Sequence, residues 1–213
     1  MTASVYCSAD VVDGIQLDLE PFAPPYAKPF LVFLTALSAN LRSPKHNCVS
    51  ARHPGGRSIT TFMFAGSVTP AVWKALGPNG FLTVSGYDLS NKPAGTCSTV
   101  DYFRAQLAAS LADVAASAAA HNGSFFVGVP AAASAHEFES FALANGTVVA
   151  CHPQIEFITA ALEELAAGAH GRAGYLGPAL WGFCPQIDVG GRKFHPSNPF
   201  SDAGEEAFLA ANL

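Results

Sequence analysis

Residues 13–21 constrain the fold more than any other stretch, because apolar and polar side chains alternate there until a proline ends the run. Successive side chains of a β-strand point to opposite faces of a sheet. The alternation therefore predicts a strand over residues 14–20 with two chemically different faces. One face carries Ile15, Leu17 and Leu19, and the other carries Gln16, Asp18 and Glu20.

Two carboxylates at Asp18 and Glu20 are an unusual feature of an aliphatic strand. Their spacing puts the two Cα atoms roughly 6.5 Å apart, so both acids can act on one substrate. Like charges resist joint ionisation where the local dielectric is low. Only 13% of the residues are charged, so we interpret the pair as part of a functional site. The alternative is an edge strand that shows a solvated polar face.

Length and composition narrow the class of protein. The 213 residues, half of them hydrophobic, predict a single domain with a substantial core. A net charge of −5 without a basic cluster argues against a nucleic-acid partner. No apolar run has the length of a membrane span, and the first residues lack the pattern of a signal peptide. We therefore expect no nucleic-acid and no membrane partner.

The five cysteines show no metal-ligand spacing, so neither a metal nor another cofactor is expected, and their pairing is left open. Two N-glycosylation motifs, at residues 122–124 and 145–147, fit a secreted protein. Such motifs also arise by chance, so the compartment is left open.

Strand-like and helix-like segments alternate along the chain. This pattern predicts βαβ units and a parallel sheet, in which chemistry gathers at the carboxyl ends of the strands. It does not distinguish a barrel from an open sheet. Ser98 and Asp101 are expected to start a long helix as a capping box. The predicted strands cover residues 14–20, 59–65, 81–88, 124–129 and 175–183, and the predicted helices lie within 26–42 and begin near 70, 98 and 153.

Three motifs resemble the family 18 glycoside hydrolases, which comprise chitinases, endo-β-N-acetylglucosaminidases and their non-catalytic relatives. Residues 13–20, DGIQLDLE, resemble the DGxDxDxE signature on the fourth strand of that family's TIM barrel. Residues 85–89, SGYDL, are similar to the sixth-strand motif, and residues 178–183, PALWGF, to the eighth strand. The resemblance implies an α/β fold, a partial TIM (β/α)8 barrel of about strands four to eight. It would form one domain over residues 1–213, with about five βα units.

The chain departs from the family pattern in two respects. Gln16 stands where the signature has its middle aspartate. The family's hydrolytic chemistry is therefore expected to be less efficient in this chain. Strands one to three of the barrel are expected to be absent, through a truncated gene model, a fragment, or a partner that completes the sheet. Five strands do not close a barrel of the usual eight-stranded geometry. The open edges are therefore expected to promote self-association.

The resemblance implies roles for individual residues in a substrate-assisted retaining mechanism. Glu20 would be the general acid, Asp18 would orient the acetamide of the sugar, and Tyr87 would donate a hydrogen bond to the acetamide oxygen. The remaining site residues would bind substrate, with Trp181 stacked beneath the sugar ring. These substrate-binding residues are Asp13, Gln16, Asp88 and Trp181. Alternatively, Tyr87 is an ordinary strand residue, Asp88 caps a loop and Trp181 belongs to the core.

Three functions are compatible with these residues. The first is a hydrolase that acts on glycans containing β-linked N-acetylglucosamine. The second is a chitinase-like lectin that binds such glycans without cleaving them, or an inactive truncated relative. The third is an unrelated α/β hydrolase or isomerase with a carboxylate pair. Retention of Glu20 favours the enzyme, whereas Gln16 favours the non-catalytic relative.

Overall fold

The computed structural model describes residues 7, 12–19, 26–89, 95–130, 137, 141–151, 154–168, 172–181, 187–189 and 192–194. Strands and helices alternate through most of this range. The strands are β1 (Gly14–Leu17), β2 (Ser58–Met63), β3 (Gly80–Ser85), β4 (Phe125–Pro130), β5 (Phe141–Ala142), β6 (Val148–Val149), β7 (Tyr175–Trp181), β8 (Ile187–Val189) and β9 (Arg192–Phe194). The helices are α1 (Ala27–Leu41), α2 (Pro70–Leu76), α3 (Val100–His121) and α4 (Gln154–Gly168).

Five strands form one sheet in the order β1-β2-β3-β4-β7. Strands β1, β2 and β3 pair in parallel. Two antiparallel hairpins, β5–β6 and β8–β9, are separate from this sheet. The α/β class and the parallel character of the sheet are therefore confirmed, whereas the partial TIM barrel stays a prediction.

The chain divides into two compact units. Unit 1 comprises residues 1–84, 113–126 and 173–176, and unit 2 comprises residues 85–112, 127–172 and 177–213. The prediction of a single domain over residues 1–213 stays a prediction.

The helical spacing of Phe30, Leu34, Leu37 and Leu41 predicts the buried face of helix α1 in unit 1, and the structure has this face with one exchange. Phe30, Leu34 and Leu41 are buried, but Ser38 takes the fourth buried position and Leu37 is half-buried. The Ser38 hydroxyl donates a 2.5 Å hydrogen bond to the carbonyl oxygen of Leu76, the last residue of α2. Carbonyls at a helix end lack partners within the helix, so a buried serine is favourable at this position.

The short helix α2 anchors Trp73 in unit 1. Pro70 occupies its first turn, where the missing N–H costs nothing. Trp73 is buried, and its indole N–H donates to the hydroxyl of Ser117 over 2.8 Å. A side chain at Gly123 would overlap the Trp73 ring, so only glycine fits there. Trp73 therefore has a packing role in unit 1.

Helix α3 begins one residue later than the capping box at Ser98 predicts. The hydroxyl of Thr99 accepts a 3.2 Å hydrogen bond from the Tyr102 N–H, which makes Thr99 the N-cap. The Ser98 hydroxyl is buried and has no hydrogen-bond partner among the described residues, so its predicted capping role is wrong. Within unit 2, Phe103 meets Phe157 of α4 edge to face at 5.5 Å, in a core that includes the buried Leu107 and Leu111.

Two disulfides, which the sequence left open, cross-link the chain. Cys7 pairs with Cys48 in unit 1, and Cys97 pairs with Cys151 in unit 2. The partners are 41 and 54 residues apart, so no local motif reveals them. The second disulfide joins the segment before α3 to the segment that follows β6.

Replacing both Cys97 and Cys151 by alanine should lower the free energy of unfolding by ~2–4 kcal/mol, because the cross-link restricts the unfolded chain. Urea unfolding of the oxidised proteins measures this difference. In reductant the wild type and the double variant should unfold at nearly the same urea concentration. Equal stability of the two oxidised proteins would contradict the pairing.

Candidate functional site

The carboxyl ends of β1 and β2 lie side by side in unit 1. The parallel register pairs Leu17 with Thr61, so both strands run out at the same edge. Asp18 directly follows β1, and Phe64 directly follows β2. Exposure alternates along the first strand: Gln16 and Asp18 are exposed, whereas Leu17 between them is half-buried. A carboxylate thus follows β1, and an aromatic ring follows the adjacent strand β2.

An apolar recess adjoins these strand ends in unit 1. Its cavity of about 20 Å³ is lined by Leu19, Phe30, Phe62 and Phe64, together with neighbouring residues of β2. Such a volume admits about one water-sized or methyl-sized group. The rings of Phe62 and Phe64 meet edge to face at 5.5 Å, and Phe64 keeps 40% of its surface exposed. The recess therefore has a partly exposed aromatic wall, and it is also lined by Leu19, the residue that follows Asp18.

Two of the predicted site residues lie wholly or partly outside the described residues. Glu20 lies outside the described residues. Trp181 is the last residue of β7, but its side chain is likewise outside the described part of the structure. The predicted roles of Glu20 as general acid and Trp181 as sugar platform therefore stay predictions.

Asp13 lies at the opposite end of β1 from Asp18. Its carboxylate accepts hydrogen bonds from Arg52 over 2.9 Å and from the ring nitrogen Nε2 of His53 over 2.8 Å. The His53 hydrogen bond, followed by the Arg52 charge, lowers the pKa of Asp13. The Asp13 carbonyl also accepts from the Ser58 N–H at the start of β2. These contacts give Asp13 a structural role at the amino end of the sheet, and its predicted contact with substrate stays a prediction.

In unit 2, Tyr87 and Asp88 lie in a tight turn just beyond the end of β3. The Ser85 hydroxyl donates to the Tyr87 carbonyl over 2.5 Å. A side chain at Gly86 would overlap the Gly128 carbonyl of β4, which explains the glycine. Tyr87 is 2% exposed, and Asp88 is half-exposed with a φ of 55°, a left-handed conformation that aspartate tolerates better than most residues. The fold therefore imposes a specific backbone at this pair.

Glu137 holds that turn, and sequence reasoning missed it. Its carboxylate oxygen Oε1 accepts a 2.7 Å hydrogen bond from the Leu89 N–H, and the carboxylate also accepts from the Asp88 N–H. The side chain is completely buried. Its second oxygen, Oε2, is buried without a hydrogen-bond partner among the described residues. A buried acid that binds two successive backbone N–H groups fixes the turn that carries Tyr87 and Asp88.

The burial of Glu137 changes its acid–base behaviour. Desolvation raises the pKa of its carboxyl above the usual value, although the backbone hydrogen bonds oppose the shift. Strongly perturbed carboxyl groups concentrate at functional sites. The sequence does not single it out, because Glu137 follows an alanine-rich stretch and lies two residues before a second acid, Glu139.

No protein-family model, curated protein or solved structure matches this chain. Among the residues that the structure describes, no three His, Cys, Asp or Glu side chains gather into a group that could hold a metal ion. The described helices also include none that is both long and apolar enough to cross a membrane. The chemistry of the residues themselves is therefore the basis for assigning a function.

Replacing Glu137 by alanine should destabilise the protein by ~1–3 kcal/mol, because the N–H groups of Asp88 and Leu89 lose their buried acceptor. Replacement by glutamine keeps an acceptor oxygen and should cost less. Urea unfolding of both variants and the wild type measures the difference, and an alanine variant as stable as the wild type would contradict the role of Glu137.

The pH dependence gives an independent check on Glu137. Because its folded-state pKa is raised, the unfolded chain releases this proton at lower pH than the folded chain. The stabilising contribution is therefore complete below the unfolded pKa and is lost as the pH rises through the folded pKa. As the pH rises through the folded-state pKa of Glu137, the Glu137→Gln variant should therefore become more stable relative to the wild type. A difference that does not vary with pH would contradict the raised pKa.

Proposed function

We propose that the chain is a family 18-type glycoside hydrolase that acts on glycans containing β-linked N-acetylglucosamine, built on part of a (β/α)8 barrel. The observation that carries the proposal is the exposed Asp18 at the end of a parallel strand, directly before Leu19, which lines the aromatic recess together with Phe64. Sugar rings have apolar faces that stack on aromatic side chains, and a methyl-sized recess suits the end of an acetamide group. The DGIQLDLE signature supplies the acid that such a site needs.

The proposed mechanism is substrate-assisted. Glu20 donates its proton to the glycosidic oxygen, while the acetamide oxygen of the sugar attacks the anomeric carbon. Asp18 orients the acetamide N–H and stabilises the positive charge that develops on the resulting ring. Water then opens the oxazolinium intermediate as Glu20 takes back a proton, so the anomeric configuration is retained.

The resemblance assigns Tyr87 the hydrogen bond to the acetamide oxygen, and Asp88, Gln16, Asp13 and Trp181 contacts to the substrate. Glu137 supports this assignment indirectly, because it fixes the backbone turn on which Tyr87 and Asp88 lie. Preorganised groups of this kind contribute most when their backbone cannot reorient during the reaction.

Gln16 favours a second candidate, a lectin that binds the same glycans without cleaving them. Glutamine can orient Asp18 by a hydrogen bond, but it cannot share a proton or a charge with it. Binding of a chitin oligosaccharide by the wild type without any release of shorter sugars would support the lectin over the enzyme.

The change Glu20→Gln should abolish hydrolysis and leave oligosaccharide binding nearly unchanged. The amide preserves the shape of the acid but has no proton to deliver, and general acid catalysis contributes typically ~10²–10⁴-fold. Turnover of a chitin oligosaccharide and its dissociation constant measure the two effects.

Asp113→Asn is the matched control, because Asp113 is an exposed acid on α3 and its neutralisation should leave turnover unchanged. Turnover that survives in the Glu20→Gln variant would identify another residue as the acid.

A further inference from the structure

The β5–β6 hairpin in unit 2 carries the motif Asn145-Gly146-Thr147 at its tip. Residues 142–148 are all exposed. The strands pair Phe141 with Val149 and Ala142 with Val148, so the motif lies in the connection between them. An acceptor motif for N-linked glycans therefore occupies an exposed part of this hairpin.

Hydrogen bonds give the tip a defined shape. The Leu143 N–H donates to the Thr147 carbonyl over 2.8 Å, and the Gly146 N–H donates to the Leu143 carbonyl over 2.9 Å. The Thr147 N–H donates to the side-chain oxygen Oδ1 of Asn145 over 3.0 Å. This last bond engages the amide oxygen of Asn145, whereas a glycan is attached through the amide nitrogen.

Apolar side chains flank the motif. Leu143 is 44% exposed and Val148 is 66% exposed, although both are large hydrophobic residues. Two-residue strands are too short to bury such side chains between them. A glycan on Asn145 would cover this apolar surface and limit its association with other molecules.

The disulfides indicate a compartment in which glycosylation takes place. Disulfides such as Cys97–Cys151 form and persist in oxidising environments, including the secretory pathway. Cys151 lies two residues after β6, so the cross-link also anchors the hairpin that carries the motif.

The motif at residues 122–124, in unit 1, is far more constrained. Asn122 has a φ of 51° directly after α3, and Gly123 packs under the Trp73 ring. The carbonyl of Ser124 accepts a hydrogen bond from the Leu82 N–H of β3. Asn122 is itself exposed, but the backbone of this motif is held between a helix and the sheet, so the motif provides an internal comparison for the hairpin.

We propose that Asn145 is an N-glycosylation site that carries an oligosaccharide over the exposed face of the β5–β6 hairpin. The donor is an oligosaccharide linked to a lipid pyrophosphate. The nitrogen Nδ2 of Asn145 bonds to the anomeric carbon as the bond from that carbon to the pyrophosphate oxygen breaks. The leaving group takes the bonding electrons, and the amide nitrogen gives up one proton to a base of the transferring enzyme.

The test is to secrete the chain from a eukaryotic cell and to record its intact mass before and after treatment with peptide N-glycosidase. Asn145→Gln and Thr147→Ala should each remove the mass of one glycan. Thr147→Ser preserves the motif and should keep that glycan, which separates loss of the motif from loss of folding. Asn122→Gln is the matched control and should also keep it. An Asn145→Gln protein that retains the full wild-type glycan mass, or a wild type without any glycan, would overturn the proposal.

Discussion

The parallel register between β1 and β2 determines where the candidate carboxylates stand. Gly14 pairs with Ser58, and a side chain at Gly14 would overlap the Ser58 backbone, so the two strands approach closely only with glycine at this position. With that start fixed, Asp13 lies at the amino end of β1 and Asp18 at its carboxyl end. A slip of one residue would move every side chain of the strand to the other face. The face of the sheet on which Asp18 lies therefore depends on this pairing.

The chain has few charged residues, and the environments of two of its acids shift their pKa values in opposite directions. Asp13 is exposed and paired with Arg52 and His53, so its charged form is favoured and its pKa falls. Glu137 is buried, so its neutral form is favoured and its pKa rises. The first acid ties a loop to the start of the sheet. The second holds a turn whose residues carry proposed functional roles, and the hydrogen bond from the Leu89 N–H offsets part of the cost of burying this carboxyl group.

Local patterns predicted much of the fold. Helix α1 was expected within residues 26–42 and spans Ala27–Leu41, and the stripe of Phe103, Leu107 and Leu111 is buried. Strand ends were less accurate: residues 81–88 were expected in one strand, but β3 ends at Ser85 because the chain turns at Gly86. Thr99 caps α3 in place of Ser98, since both hydroxyls suit a cap and only tertiary packing selects one of them.

The features that the sequence did not predict depend on contacts between distant residues. The partners of both disulfides are more than 40 residues apart, and Glu137 binds a turn 48 residues earlier in the chain. The short β5–β6 hairpin was also missed, because two-residue strands have too little alternation to be recognised. For the candidate site, the alternation indicated correctly that Gln16 and Asp18 are exposed, but β1 ends at Leu17 and not at residue 20, and Leu19, expected on the aliphatic face, is exposed as well. The roles of Glu20, Tyr87, Asp88 and Trp181 stay predictions from the resemblance.

The most direct test of the central proposal compares two ligands by calorimetric titration. One is a chitin oligosaccharide, and the other is the thiazoline derivative of N-acetylglucosamine, which mimics the cyclic intermediate of a substrate-assisted reaction. An enzyme is complementary to the transition state and its neighbours on the reaction path, so the thiazoline should bind more tightly per sugar unit, by ~10²-fold or more. Equal affinity per sugar unit, or no binding of either ligand, would contradict a substrate-assisted glycosidase site in this chain.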